Sequence, residues 1–176
     1  MDSIKDRLPV SLQTERLVLT KPAAAHVQAI ATLANNRRLN EMMSRLPFPY
    51  TEDDARFFVD TIVPSDSEHC FAVLADGDTF IGIVGLTLTD PQTPELGYWF
   101  GEPHWGQGYA TEAATAVVAS AKAAGFPALR SRALLRNAGS RNVLRKVGFV
   151  EKGEHIETEG NLAGQTMMLM WQDFSR

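Results

Sequence analysis

The residues best able to do chemistry lie in Trp105-Gly106-Gln107-Gly108-Tyr109-Ala110, two glycines set immediately before an alanine-rich segment. In that segment Ala110, Ala113, Ala114, Val117, Val118 and Ala121 recur at helical spacing on one face. Upstream, Tyr98-Trp99-Phe100 reads as a buried strand, because aromatic side chains pack well on a pleated surface. Strand, glycine loop and helix start, in that order, aim several unpaired backbone N–H groups at one point, and a phosphate suits such a point. Two familiar phosphate loops do not fit. The dinucleotide fingerprint wants a third glycine where Thr111 stands, in a tight turn straight after the strand, yet five residues separate Phe100 from Gly106. A Walker loop needs Gly-Lys-Ser/Thr at its end, which is missing here. A pyrophosphate loop of a third kind remains.

Trp105 to Ala110, preceded by Glu95-Leu96-Gly97-Tyr98-Trp99 and followed by Thr111-Glu112-Ala113, resembles the acetyl-CoA loop of the GNAT N-acetyltransferases. The run Asn137-Ala138-Gly139-Ser140-Arg141-Asn142, continued by Val143-Leu144-Arg145-Lys146-Val147-Gly148-Phe149, resembles that family's second CoA motif. Thr14-Glu15-Arg16-Leu17-Val18-Leu19-Thr20 and Pro47-Phe48-Pro49-Tyr50-Thr51-Glu52-Asp53-Asp54-Ala55 are similar to the branch that acetylates N-terminal amines of ribosomal proteins, the RimJ/RimL type. The likeness runs from about Thr14 to about Glu151, four pieces in the right order.

The resemblance implies transfer of the acetyl group of acetyl-CoA to a primary amine, by direct transfer in a ternary complex. The acceptor would be a protein N-terminus or a small-molecule amine. Acetyl-CoA would be the co-substrate, with no metal. A non-catalytic acyl-CoA-binding or sensor module on the same fold is the alternative, since fold does not fix function. By the same resemblance Trp99, Phe100, Trp105, Gly106, Gln107, Gly108, Tyr109, Ala110 and Thr111 would hold the CoA, joined by Asn137, Ser140 and Asn142. Ser140 would protonate the departing thiolate; read from its place before a short helix, it is equally an N-cap. Asn137 would bond the pantetheine or simply turn the chain. Glu95 would take the amine proton through water, or is an exposed strand-end acid, with Glu68 a second candidate. Phe48, Tyr50 and Glu95 would touch the acceptor. The loop from Asn35 to Tyr50 then either walls the acceptor pocket or tucks apolar residues into the core.

Other reactive types are read more plainly. Cys70 offers an acyl-cysteine route, but without a recognisable histidine partner it reads as a small core hydrophobe. His26, His69, His104 and His155 show no metal-ligand spacing. Met167, Met168 and Met170 read as strand packing. Glu151, Glu154, Glu157 and Glu159 read as a charged, solvated edge strand, or as an attraction for a cationic amine. The ending Asn161-Leu162-Ala163-Gly164-Gln165 departs from the family pattern.

Positioning these groups requires a run of elements. Leu17 to Thr20 is an opening strand and Ala23 to Ala34 a helix. Thr51-x-x-Asp54 resembles a capping box opening a second helix. Cys70 to Leu74 and Phe80 to Leu88 are strands joined at Asp76-Gly77-Asp78, a hairpin signal. The strand at Glu95 and the helix after Gly108 follow, closed by Gly125 and Pro127. Then come a strand over 129–135, a short helix over 140–147, and strands over 150–156 and 165–171. Strands flank single helices, so the class is α+β (α/β in some schemes), with a mixed, mostly antiparallel sheet. The resemblance adds a central strand pair that splays, with pantetheine in the V between them.

The 176 residues fit a single N-acetyltransferase domain, with residues 1–10 a flexible arm. Seventeen basic against 21 acidic residues, net charge −4, argue against a nucleic-acid partner. One cysteine excludes an internal disulfide framework and suits a reducing compartment. No apolar run is long enough to enter a membrane, and the polar start is unlike a signal peptide. The expectation is a cytoplasmic monomer or homodimer.

Overall fold

The computed structural model describes residues 3–89 and 91–175. One mixed sheet organises it: β1 (Leu12–Gln13), β2 (Leu17–Thr20), β3 (Glu68–Ala75), β4 (Thr79–Thr87), β5 (Glu95–Phe100), β6 (Ala128–Leu134), β7 (Val150–Ile156) and β8 (Thr166–Asp173). Their order is β1-β2-β3-β4-β5-β6-β8-β7, and every neighbouring pair is antiparallel except β5 and β6. The α+β expectation holds. On one face lie α1 (Val27–Ala34), α2 (Arg37–Asn40) and α3 (Glu52–Phe57); on the other lie α4 (Tyr109–Ala123) and α5 (Ala138–Val147).

Strand alternation builds both cores at once. Leu96 and Phe100 of β5 point to the α4 side, where Ala113, Ala114, Val117 and Ala121 are fully or nearly fully buried. Trp99 points the other way, onto Val27, Ile30 and Ala34 of α1. The small residues of α4 let the helix axis lie close to the sheet. Met168 and Met170 pack in the α4-side core, as strand packing requires.

The parallel pair is where the sheet opens. Glu95 and Arg130 are the one paired position between β5 and β6. Ser131 Oγ then donates to the Leu96 carbonyl at 2.8 Å, and no ladder pair follows among the described residues. From there the strands diverge toward Phe100 and Leu134, which is the splay the resemblance implied.

Several local readings hold and several shift. Thr51 and Asp54 form a reciprocal cap, with Asp54 N donating to Thr51 Oγ1 at 3.2 Å and Thr51 N to Asp54 Oδ2 at 2.8 Å. The β3–β4 turn carries φ 50° at Asp76 and 92° at Gly77, the primed-turn geometry its sequence called for. The flexible arm is not seen where the structure describes it. Ser3 and Asp6 cap a 3₁₀ turn, Leu8 is buried, and Lys5 Nζ donates to the carbonyls of Val63 and Ser65 at 3.0 and 2.7 Å. Met1 and Asp2 lie outside the described residues. Strand β1 was not anticipated; two residues leave no period to read. Helix α5 begins at Ala138, and its N-cap is Asn137 rather than Ser140.

Candidate active site

The glycine loop and the start of α4 form one wall of a cavity of about 600 Å³ that runs through the opening between β5 and β6. Gly106 and Gly108 hold φ of 73° and 80°, left-handed values that keep the α4 N-terminus open. A Cβ at Gly106 would meet nothing within 4 Å, so the loop's surface there is free for a ligand to approach. Tyr109, Ala110 and Thr111 continue that wall with the first turn of α4. The loop, the free N-terminal N–H groups and the width of the cleft fit a pyrophosphate-bearing thioester.

The loop is held from behind. Arg16 Nη1 donates to the Gln107 carbonyl at 2.8 Å, and its Nε meets Glu112 Oε1 at 2.7 Å. Its guanidinium also lies 4.6 Å from the Tyr109 ring centroid. Thr14 Oγ1 and the Arg16 N–H donate to the other Glu112 oxygen at 2.5 and 2.9 Å. Burial works to raise the Glu112 pKa, but these donors outweigh it and hold the carboxyl below its ordinary range. Trp105 Nε1 donates to the Phe100 carbonyl at 2.6 Å, which fixes the near end of the loop. The resemblance placed Arg16 in the branch-like Thr14 to Thr20 stretch, and nothing in the sequence tied it to an acid 96 residues on.

At the middle of the cavity Ser140 Oγ and Tyr98 Oη share a 3.0 Å hydrogen bond. Asn137 Oδ1 accepts the Ser140 backbone N–H at 3.1 Å and so caps α5. The cap reading therefore passes from Ser140 to Asn137, and the serine hydroxyl is left to Tyr98 and the cleft. Burial raises the Tyr98 pKa, with the bond to Ser140 working against it. The phenol thus stays protonated at neutral pH. Tyr98 was missed as a site residue because its partner lies 42 residues away.

At the far end Glu95 sits between two guanidinium groups, 3.1 Å from Arg132 Nε and 3.4 Å from Arg130 Nε. Arg132 also reaches Glu157 at 2.6 Å. The exposed-acid reading of Glu95 therefore gives way to a paired, half-buried carboxylate beside the cavity. Glu68, Thr87, Glu95 and Arg130 form one row across β3, β4, β5 and β6. Burial pushes the Glu68 carboxyl up, against the Thr87 hydroxyl that donates to both its oxygens at 3.2 Å.

Not every expected residue reaches the cleft. Trp99, Phe100, Trp105, Gly106, Gly108, Tyr109, Ala110, Thr111, Asn137, Ser140 and Glu95 line it. Gln107 contributes its carbonyl to Arg16 while its side chain is exposed. Asn142 is exposed and accepts from Arg145 at 3.2 Å. Tyr50 is buried in the core under α1, and its N–H donates to Asn35 Oδ1 at 3.0 Å. Phe48 lies outside the cavity, its ring 4.9 Å from the Arg37 guanidinium. Leu39, Met42, Met43 and Ser44 of the same segment line the cavity instead. An aromatic pair looked like a wall, but Tyr50 is used as packing. Burial pushes the Cys70 thiol up to about 12, so it holds its proton and is no nucleophile. The acidic hairpin is not simply solvated: Glu151 pairs with Arg141 and Arg145, and Glu157 is buried against Arg132. Among the described residues no cluster of His, Cys, Asp or Glu could hold a metal ion.

Known proteins can now be set beside this geometry. The family of acetyltransferase (GNAT) domains matches residues 16–150. The uncharacterized N-acetyltransferase p20 of Bacillus licheniformis is 26% identical over 108 residues, which is 58% of this chain. The match spans 61% of that relative's length. RimL, a ribosomal L7/L12 alpha-N-protein acetyltransferase solved with coenzyme A, shares the fold with a TM-score of 0.81 at 18% identity. That likeness covers 94% of this chain and 97% of RimL. The spermidine N-acetyltransferase of Vibrio cholerae, solved with CoA and spermine, has a TM-score of 0.78 at 21% identity. It covers 92% of this chain and 98% of that one. A family match over residues 16–150, on a sheet that opens where that family's motifs lie, decides the assignment: the chain belongs to the GNAT acetyltransferase family.

Proposed function

We propose that the protein is an acetyl-CoA-dependent N-acetyltransferase that moves the acetyl group to a primary amine by direct transfer. One observation carries the reading: a single continuous cavity joins the glycine loop, the Ser140–Tyr98 pair and Glu95. The loop and α4 N-terminus take the pyrophosphate of acetyl-CoA. The pantetheine arm lies between β5 and β6, and Asn137 stands beside it. The amine attacks the thioester carbon from the Glu95 end. The carbon–sulfur bond then breaks, and the thiolate receives a proton from Ser140, which Tyr98 orients and which takes a proton back from solvent.

The amine must lose a proton as it attacks, and Glu95 receives it through water. Direct transfer is supported by the inert state of Cys70, the chain's one thiol. RimL is named for a protein N-terminal amine, and the Vibrio cholerae protein for spermidine. Both kinds of amine stay open as sources of the acceptor. Among the described residues no helix is long and apolar enough to cross a membrane. We read the protein as a cytoplasmic monomer or homodimer, and its excess of acidic residues speaks against a nucleic-acid partner.

An amine panel assayed for free CoA thiol tests the proposal. The expected outcome is thiol release that depends on both acetyl-CoA and amine. Intact-mass measurement with acetyl-CoA alone should show no acetylated protein. Tight acetyl-CoA binding with no thiol released across the panel would favour a sensor.

A further inference from the structure

The segment that departs from the family pattern, Asn161 to Gln165, closes the acceptor end of the cavity. Asn161 Nδ2 donates to the carbonyls of Met43 and Leu46 at 3.0 and 2.6 Å, and its backbone N–H to Ser44 O at 2.9 Å. Gly160, with φ 70°, passes so close to Ser44 that a Cβ there would collide with its carbonyl oxygen. Arg136 ties the same place, donating from Nη2 to Glu41 O and Gln165 Oε1 at 3.3 Å each. These bonds clasp the β7–β8 connection onto the loop after α2. Leu162 is driven inward until it is 1% exposed, packed with Leu134, Met167 and Met42. All four line the cavity, and Met43 joins them.

The carboxylates nearest the cavity are already paired. Glu95 is matched by Arg130 and Arg132, and Glu157 by Arg132. Glu157 further accepts the N–H groups of Thr158 and Glu159 at 3.0 and 3.4 Å. A side pocket of about 180 Å³ next to Arg132 is bounded by Arg45, Arg132, Glu157 and Glu159, two of each sign. A polyamine needs unpaired carboxylates to replace the water lost from each ammonium group, since an unmatched charge is costly away from solvent. None of the paired acids can supply that without leaving an arginine unmatched. An apolar substituent, by contrast, gains from contact with the methionine and leucine side chains.

We infer that the acceptor is a primary amine borne on a carbon with an uncharged, apolar side chain, which the half-buried Met42 and Met43 receive against the Leu162 cluster. The inference rests on the acetyl-transfer reading for the word acceptor, but the pocket can be tested without turnover. L-Methioninamide, glycinamide and spermidine are titrated calorimetrically into the CoA-loaded protein, which cannot react. Methioninamide should bind at least about tenfold more tightly than either of the others, the scale on which a hydrophobic pocket discriminates. Equal or tighter binding of glycinamide or spermidine, or no binding of methioninamide, overturns the inference. A tetrapeptide beginning with methionine separates the two sources of such an amine. Binding at least as tight as methioninamide assigns a protein N-terminus, and weaker binding assigns a free small amine; both keep the class. Met42→Ser, in a half-buried position, should shrink the methioninamide-to-glycinamide ratio severalfold while leaving CoA affinity unchanged. An unchanged ratio counts against the pocket. Failure of acetyl transfer itself would show separately, as absent thiol release with acetyl-CoA.

Discussion

Ser140 occupies the third position of α5, and its hydroxyl is free of capping because Asn137 does that work. The two residues are therefore separable by experiment. Ser140→Ala should lower kcat by about 10²–10⁴, the range for loss of a positioned proton donor. Its acetyl-CoA affinity and melting temperature should stay near wild type. Asn137→Ala should instead cost about 0.5–2 kcal/mol of stability, the usual penalty for a lost N-cap. Denaturant unfolding and steady-state kinetics on both variants check the division. A Ser140→Ala enzyme with normal kcat would leave the thiolate to solvent. Glu95→Gln keeps the shape but removes the basic site, and it turns an NH2 toward one of the two guanidinium groups. Its kcat/KM should fall most at low pH and recover in part as pH rises, when solvent takes the amine proton. A profile parallel to wild type would remove Glu95 as the base. At this scale the resemblance placed Ser140, Asn137 and Glu95 in the cleft, where the structure also finds them. It could not show that Arg130 and Arg132 flank Glu95, because β5 and β6 meet only in the folded sheet.

The glycine loop works as an element because strand β2 and helix α4 are pinned to each other through Arg16 and Glu112. Arg16 reaches both the loop carbonyl and the α4 carboxylate, so lysine, with its single ammonium, cannot replace it. Arg16→Lys and Glu112→Gln should each raise the KM for acetyl-CoA with little change in kcat. The double variant should be no worse than the poorer single one, since both remove the same clamp. Effects on kcat with unchanged KM would place the clamp outside CoA binding. A second element-scale expectation concerns the clasp. Gly160→Ala puts a side chain against the Ser44 carbonyl in a left-handed backbone, so the β7–β8 connection must lift. Faster proteolysis within 157–165, with α4 still protected, is the outcome to look for. The elements themselves were mostly legible: α4 from its alanine stripe, the β3–β4 hairpin from Asp76-Gly77, α3 from Thr51 and Asp54. What escaped were strand β1 and the docked N-terminal turn. The turn is held by partners far along the chain, Lys5 by Val63 and Ser65, and β1, paired locally with β2, is too short to leave a periodic trace.

The whole molecule is a sheet whose middle is left unzipped, with the glycine loop and α4 on one side of the cleft and the loop after α2 on the other. The order of strands and helices could give the α+β class, but the splay followed only from the resemblance. A parallel pair with one ladder position has no local signal, since Leu96 and Leu129 alternate as they would in a closed sheet. The charge pairs that join the acceptor side to the sheet carry a pH dependence. Burial works to raise the Glu157 pKa, but the backbone N–H groups of Thr158 and Glu159 and the Arg132 guanidinium leave it lowered. A lowered carboxylate contributes stability that is present above its unfolded value, about 4.3, and is lost as pH falls through the folded one. Glu157→Gln should therefore melt below wild type at neutral pH, and the gap should close in acid. A gap independent of pH would mean the substitution acts through packing.

The central claim is that one cleft holds acetyl-CoA on the glycine loop and passes its acetyl group to an amine. Thiol release and acetylated amine, quantified together for wild type and Gly106→Asn, test it most directly. Asparagine tolerates the left-handed backbone at this position and its Cβ meets no neighbouring atom, so the variant should fold while obstructing the phosphate. The account predicts one thiol per acetylated amine in wild type, and a raised KM for acetyl-CoA in the variant. Acetyl-CoA binding without thiol release in wild type, or an unchanged KM in a folded variant, would contradict it.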